Sequence, residues 1–149
     1  MRSTLAGLMI AAGACALTGC AAFAPPPPDD ADVQEWMQQQ SDEAGENDGV
    51  MTGLAGSAPA SDEEGTRMDF ASPTDLSAIE FSCFGDDAMS IAISSSSGDQ
   101  GEGVEIKDLR CDESPHRLDK SIGTRDLDSF SANATSAHGY GAWSIVLRP

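Results

Sequence analysis

His116 and His138 are the only side chains here whose ordinary pKa suits general-base work near neutral pH. A nucleophilic hydrolase needs such a base beside a hydroxyl or thiol, with an acid behind it. Ser94 to Ser97 supply hydroxyls, but no Gly-x-Ser-x-Gly elbow frames them, and the run passes into Gly98-Asp99, which is turn chemistry. Phosphate-cradling glycine loops of the Walker or dinucleotide spacing are missing. Glu46-Asn47-Asp48-Gly49 matches an EF-hand loop at its glycine, yet puts Ala44 and Ala55 where the first and last carboxylates belong. Asp126 and Asp128 are the remaining acids that could converge with Asp86 or Asp87 at one end of a domain, in a chain with many such pairs. The methionines form no Met-x-x-Met cluster for copper. The sequence therefore assigns no catalytic residue, no metal ligand and no cofactor.

The amino terminus carries more information. Arg2 is followed by an apolar run from Leu5 to Leu17 that closes on small residues, the outline of a secretory signal peptide over 1–19. The run is about thirteen residues, short of the ~20 a membrane-spanning helix needs. Its end, Leu17-Thr18-Gly19-Cys20, resembles the bacterial lipobox. That resemblance implies cleavage before Cys20 and a diacylglyceryl group on its sulfur, and two acyl chains hold a protein stably where one is marginal. It also implies a lipid-anchored place at the cell membrane, facing outside the cytoplasm. The other reading of the same residues is simple secretion, with Cys20 an ordinary cysteine. Six arginines against two lysines, with abundant alanine, give the chain the style of small lipoproteins of Actinobacteria.

Cys15 leaves with the signal peptide and Cys20 takes the lipid, so Cys83 and Cys111 remain. Two cysteines in an exported domain pair in the oxidising compartment. Neither has another cysteine or a histidine within four residues, as a structural zinc site would want. The formal charge of −17 excludes nucleic acid as a partner, because it repels phosphate backbones. It repels anionic lipid heads as well, so contact with the membrane rests on the anchor alone.

Organisation follows composition. From Ala21 to Gly65 there are eleven acids and no base, Pro25 to Pro28 make a short rod, and small polar residues fill much of the rest. The sequence predicts a disordered, lipidated tether over 20–65, spanning roughly 35–40 Å as a flexible coil. Within it, Val33, Trp36, Met37 and Gln40 share one face of a possible helix over 30–40. A helix that short is marginal in water, so it folds against a partner, docks on its own domain, or frays. Trp36 and Met37 are its candidate contact residues.

Residues 66–149 read as an all-β domain, a small antiparallel sandwich of about six or seven strands. Apolar residues alternate at Ile79, Phe81 and Cys83, at Met89, Ile91 and Ile93, and at Val104 and Ile106. Leu118, Lys120 and Ile122 continue less cleanly, before Phe130, Ala132 and Ala134, and finally Trp143, Ile145 and Leu147. Gly85-Asp86-Asp87, Ser95 to Asp99, Asp112 to Pro115 and His138-Gly139-Tyr140-Gly141 are the turns between them. The last of these either caps the core edge with Tyr140 or exposes His138 and Tyr140 as a contact spot. Ile79 to Cys83, Cys111-Asp112 and Gly141 to Leu147 resemble the small β domains of actinobacterial lipoproteins, which implies fold and nothing of activity. The expectation is a lipid-anchored, non-enzymatic binding or scaffolding module whose partner is another envelope protein. The alternative is a solute- or ion-binding accessory lipoprotein of a transporter or sensor. So few aromatics leave little to line a solute pocket beyond the core.

Overall fold

In the computed structural model, which describes residues 26–46, 49–59 and 65–149, period-two alternation becomes strands with one dry face. Ile79, Phe81 and Cys83 are buried along β3 (Ala78–Phe84), and Met89, Ile91 and Ile93 along β4 (Ala88–Ser97). Phe130, Ala132 and Ala134 do the same on β7 (Leu127–Ser136), as do Trp143, Ile145 and Leu147 on β8 (Ala142–Arg148). These join β1 (Thr52–Ser57), β2 (Thr66–Thr74), β5 (Gln100–Arg110) and the two-residue β6 (His116–Arg117). Two antiparallel four-stranded sheets result, ordered β1-β8-β3-β6 and β2-β7-β4-β5. Their inner faces meet in one core, with Trp143, Phe81 and Phe130 its largest fully buried side chains. The protein is an all-β sandwich.

Several details differ from the sequence expectation. The domain does not begin at residue 66. β1 pairs with β8 from Thr52↔Leu147 to Ser57↔Ala142 and buries Leu54, so the stretch read as tether supplies a sheet edge. α1 runs Asp30–Glu46, longer than 30–40, and packs against β8 and β1. Among the described residues the strands therefore number eight, with β2 also additional. Leu118 and Ile122 do reach the core, but from a loop after β6, where the Leu118 N–H donates to the Ile79 carbonyl at 2.8 Å. In β5 the alternation of Val104 and Ile106 jumps at Asp108, whose φ of 57° is left-handed. The resulting register shift brings Leu109 opposite Met89. The serine run lies within β4 rather than in a turn; only Gly98 and Asp99 separate β4 from β5.

Cys83 and Cys111 form a disulfide, with Cα atoms 4.9 Å apart. It ties β3 of the first sheet to the end of β5 in the second. The signal peptide 1–19 and Cys20 lie outside the described residues. Among those described, no helix is long and apolar enough to cross a membrane.

Candidate interaction surface

Alternation on β3 and β8 leaves a second face pointing away from the core: Glu80, Ser82 and Phe84 on β3, and Ser144, Val146 and Arg148 on β8. α1 lies over it. Asp30 and Asp32 in its first turn favour the positive end of the helix dipole. Val33, Trp36, Met37, Gln40 and Ala44 are half-buried while the residues around them are exposed, so the docked face is the one the spacing singled out. Trp36 stacks on Phe84, centroids 5.8 Å apart and planes 15° from parallel. The Ser144 hydroxyl donates to Gln40 Oε1 at 3.1 Å.

Open grooves flank the helix. One, of about 450 Å³, is walled by Trp36, Gln40, Phe84 and Ser114, with Glu80 and Arg148 across it. Arg148 donates from Nε and one terminal nitrogen to Glu80 Oε2, both at 3.0 Å. The other, of about 540 Å³, takes Met37 among Val50, Met51 and Leu54. Trp36 and Met37 therefore belong to one surface, each lining one of two neighbouring grooves.

His138 and Tyr140 form a neighbouring cluster. The turn from β3 to β4 follows Phe84 and carries Asp86 at its middle, so it links the two. Asp86 is buried, its side chain 2 % exposed, and both carboxylate oxygens lie 3.0 Å from His138 Nδ1. Burial pushes the Asp86 carboxyl up. Hydrogen bonds from His138 and from the Asp87 N–H, with the His138 charge, outweigh burial and hold it below the ordinary carboxylate value. The His138 and Tyr140 rings stack at 5.5 Å. Burial, then the charges of Asp86 and Asp87, push the Tyr140 phenol up. Ser136 builds the turn beneath them, accepting from the Gly139 and Tyr140 N–H groups at 3.0 Å.

Glycine makes this pole possible. Gly85 and Gly141 both hold left-handed φ, 99° and 104°. A Cβ on Gly141 would strike the Phe84 carbonyl oxygen, and one on Gly85 would come within 2.8 Å of the Gly141 Cα and 2.9 Å of Pro28 Cγ. Pro28 is thereby seated at the same pole as His138.

The other candidate chemistry separates. Ser94 pairs with Ser131 and Ser96 with Ser129 by hydroxyl contacts of 2.7 Å across β4 and β7. His116 Nε2 contacts the Arg110 carbonyl at 2.7 Å. Asp128 accepts from the Gly98 N–H at the far end of β4 from Asp86, so the imagined convergence of Asp126 and Asp128 with Asp86 or Asp87 does not occur. Ten strand residues of ~3.3 Å rise keep them apart. Among the described residues no three His, Cys, Asp or Glu side chains group as a metal site.

Phe84, Asp86 and Arg148 are members of this surface that sequence reasoning missed. Phe84 did carry a signal: it is an apolar residue out of phase with Ile79, Phe81 and Cys83. Compared with family models, curated proteins and solved structures, the chain matches none.

Proposed function

We propose that this protein is a lipid-anchored component of a bacterial cell envelope, whose sandwich serves as a non-enzymatic binding or scaffolding module outside the cytoplasm. The observation that carries the reading is the apolar run closing on Leu17-Thr18-Gly19-Cys20, eight residues ahead of Pro28. With Pro28 seated against Gly85, a lipid on Cys20 and the His138 pole are at most about 29 Å apart, the limit of eight extended residues. The pole would stand closer to the lipid than a forty-five-residue coil implied. The partner would be another envelope protein, met through Trp36, Met37, His138 or Tyr140. Tryptophan and tyrosine dominate interface energetics when they are rigidly presented.

Cys20→Ser tests the anchor. In a bacterial host with lipoprotein processing, the natural chain should incorporate labelled palmitate and sediment with membranes, and the variant should do neither. Label retained by the variant would refute the assignment.

The 450 Å³ groove favours a second reading, an accessory solute binder, because Trp36 and Phe84 meet the Glu80–Arg148 pair there. A bound solute should change Trp36 emission. A panel of envelope solutes that leaves it unchanged at millimolar concentration sinks that reading.

A further inference from the structure

We propose that α1 is a reversible strap, docked on the outer face of the first sheet and able to release while the sandwich stays folded. Three observations carry this. First, none of its seventeen residues is buried. β1, by contrast, shares a six-residue register with β8, buries Leu54, and offers the Ser57 carbonyl to Trp143 Nε1 at 3.1 Å. Second, α1 rests on a face that is largely polar. One ring stack and one side-chain hydrogen bond centre the contact, and open grooves lie on both sides.

Third, the helix is poorly made for standing alone. It carries six acids and no base, and Asp42, Glu43 and Glu46 crowd its negative end. Asp32 and Glu35 are three residues apart and Asp42 and Glu46 four, spacings at which like charges destabilise a helix. The Gln39–Glu43 hydrogen bond of 2.9 Å offsets part of this. Seventeen residues is only just past the ~12–15 at which even alanine-rich helices are marginal in water, and with this charge repulsion release and melting are one event. Segments with few buried contacts open far below the global unfolding free energy.

Release of α1 together with Pro28 moves the first described attachment to the sandwich from eight residues after Cys20 to β1, about thirty after it. The mean reach of the intervening chain becomes about 30 Å and its extended limit ~100 Å. Release also uncovers Phe84, Ser144 and Val146. The change of reach rests on the lipid-anchored reading; the strap itself does not.

Hydrogen exchange on the unlipidated chain from residue 20 tests the strap whatever becomes of the anchor. Amides of 30–46 should exchange ~100-fold faster than those of 142–148, yet more slowly than in a free 26–50 peptide. Trp36→Ala should abolish protection of 30–46 and leave 52–57 and 142–148 as they were. Phe84→Ala should repeat this, with protection of 142–148 reporting that the sandwich is intact. Exchange of 30–46 in step with β8 would make the helix a permanent part of the core and overturn the proposal. So would exchange at the free-peptide rate, or Trp36→Ala leaving 30–46 protected.

Discussion

Trp36 lies flat on Phe84, 5.8 Å between centroids, and through this stack a segment with the composition of a linker is fixed to the sandwich. A disordered tether would make Trp36→Ala silent. The stack says otherwise. Aromatic pairs contribute ~0.5–1.5 kcal/mol beyond the area they bury, so a double-mutant cycle of Trp36→Ala and Phe84→Ala should give a coupling energy in that range. Chemical denaturation of the four proteins, monitored by circular dichroism at low denaturant where the helix melts, supplies the numbers. Additive effects would mean that the rings only happen to lie near each other.

Trp143 behaves differently because it is enclosed on all sides. The residue is 1 % exposed, and its ring lies over Gly56, where a Cβ would come within 3.1 Å of it. Truncating a buried tryptophan costs ~3–5 kcal/mol. Trp143→Ala should therefore lower the urea midpoint of the whole sandwich far more than Trp36→Ala does. It should also loosen β1, which loses both the ring and the donor to the Ser57 carbonyl. Similar midpoints for the two variants would contradict this placement.

The same pair, Trp143 and Gly56, explains why part of the fold was not legible. Strong alternation made β3, β4, β7 and β8 readable, because each presents three apolar residues to the core at period two. Thr52-Gly53-Leu54-Ala55-Gly56-Ser57 has one large apolar residue, and its glycines look like linker. It is a strand because β8 offers a complete edge and because Trp143 fills the space a side chain at 56 would occupy. The helix face was visible in the spacing of Val33, Trp36, Met37 and Gln40. What it would rest on was not, since only three-dimensional pairing places Phe84 and Ser144 side by side. The disulfide needed no geometry, because reading Cys15 as part of a signal peptide and Cys20 as a lipid site left two cysteines to pair.

Asp86 should make stability depend on acid pH. Its carboxyl sits below its ordinary value in the folded state, against ~3.9 when unfolded. Between those values the unfolded chain binds more protons, so stability rises with pH across that window. The contribution is complete above about pH 5 and fades as pH falls through the folded value. Urea unfolding of the natural chain and Asp86→Asn at pH 3, 4 and 6 should show a stability gap that is widest at pH 6 and shrinks on acidification. His138→Ala should cost about 1–3 kcal/mol at pH 6, since it strips a buried carboxylate of its side-chain donor. A gap that widens toward pH 3 would mean the carboxyl is held protonated, not ionised.

Where the domain begins can be decided by truncation. A chain starting at residue 66 keeps seven strands and the Cys83–Cys111 bridge but exposes the β8 edge along Thr52–Ser57's register. It also bares the core around Leu54, whose burial alone is worth about 2–3 kcal/mol. A chain starting at residue 50 keeps β1 and loses only the strap. The shorter chain should melt well below the longer one and self-associate through the open edge, as unprotected strands do. The chain from 50 should match the natural protein in protection of 142–148 and differ from it only by the helix signal. Equal melting of the two truncations, with both monomeric by sedimentation, would show that β1 adds nothing and return the boundary to residue 66.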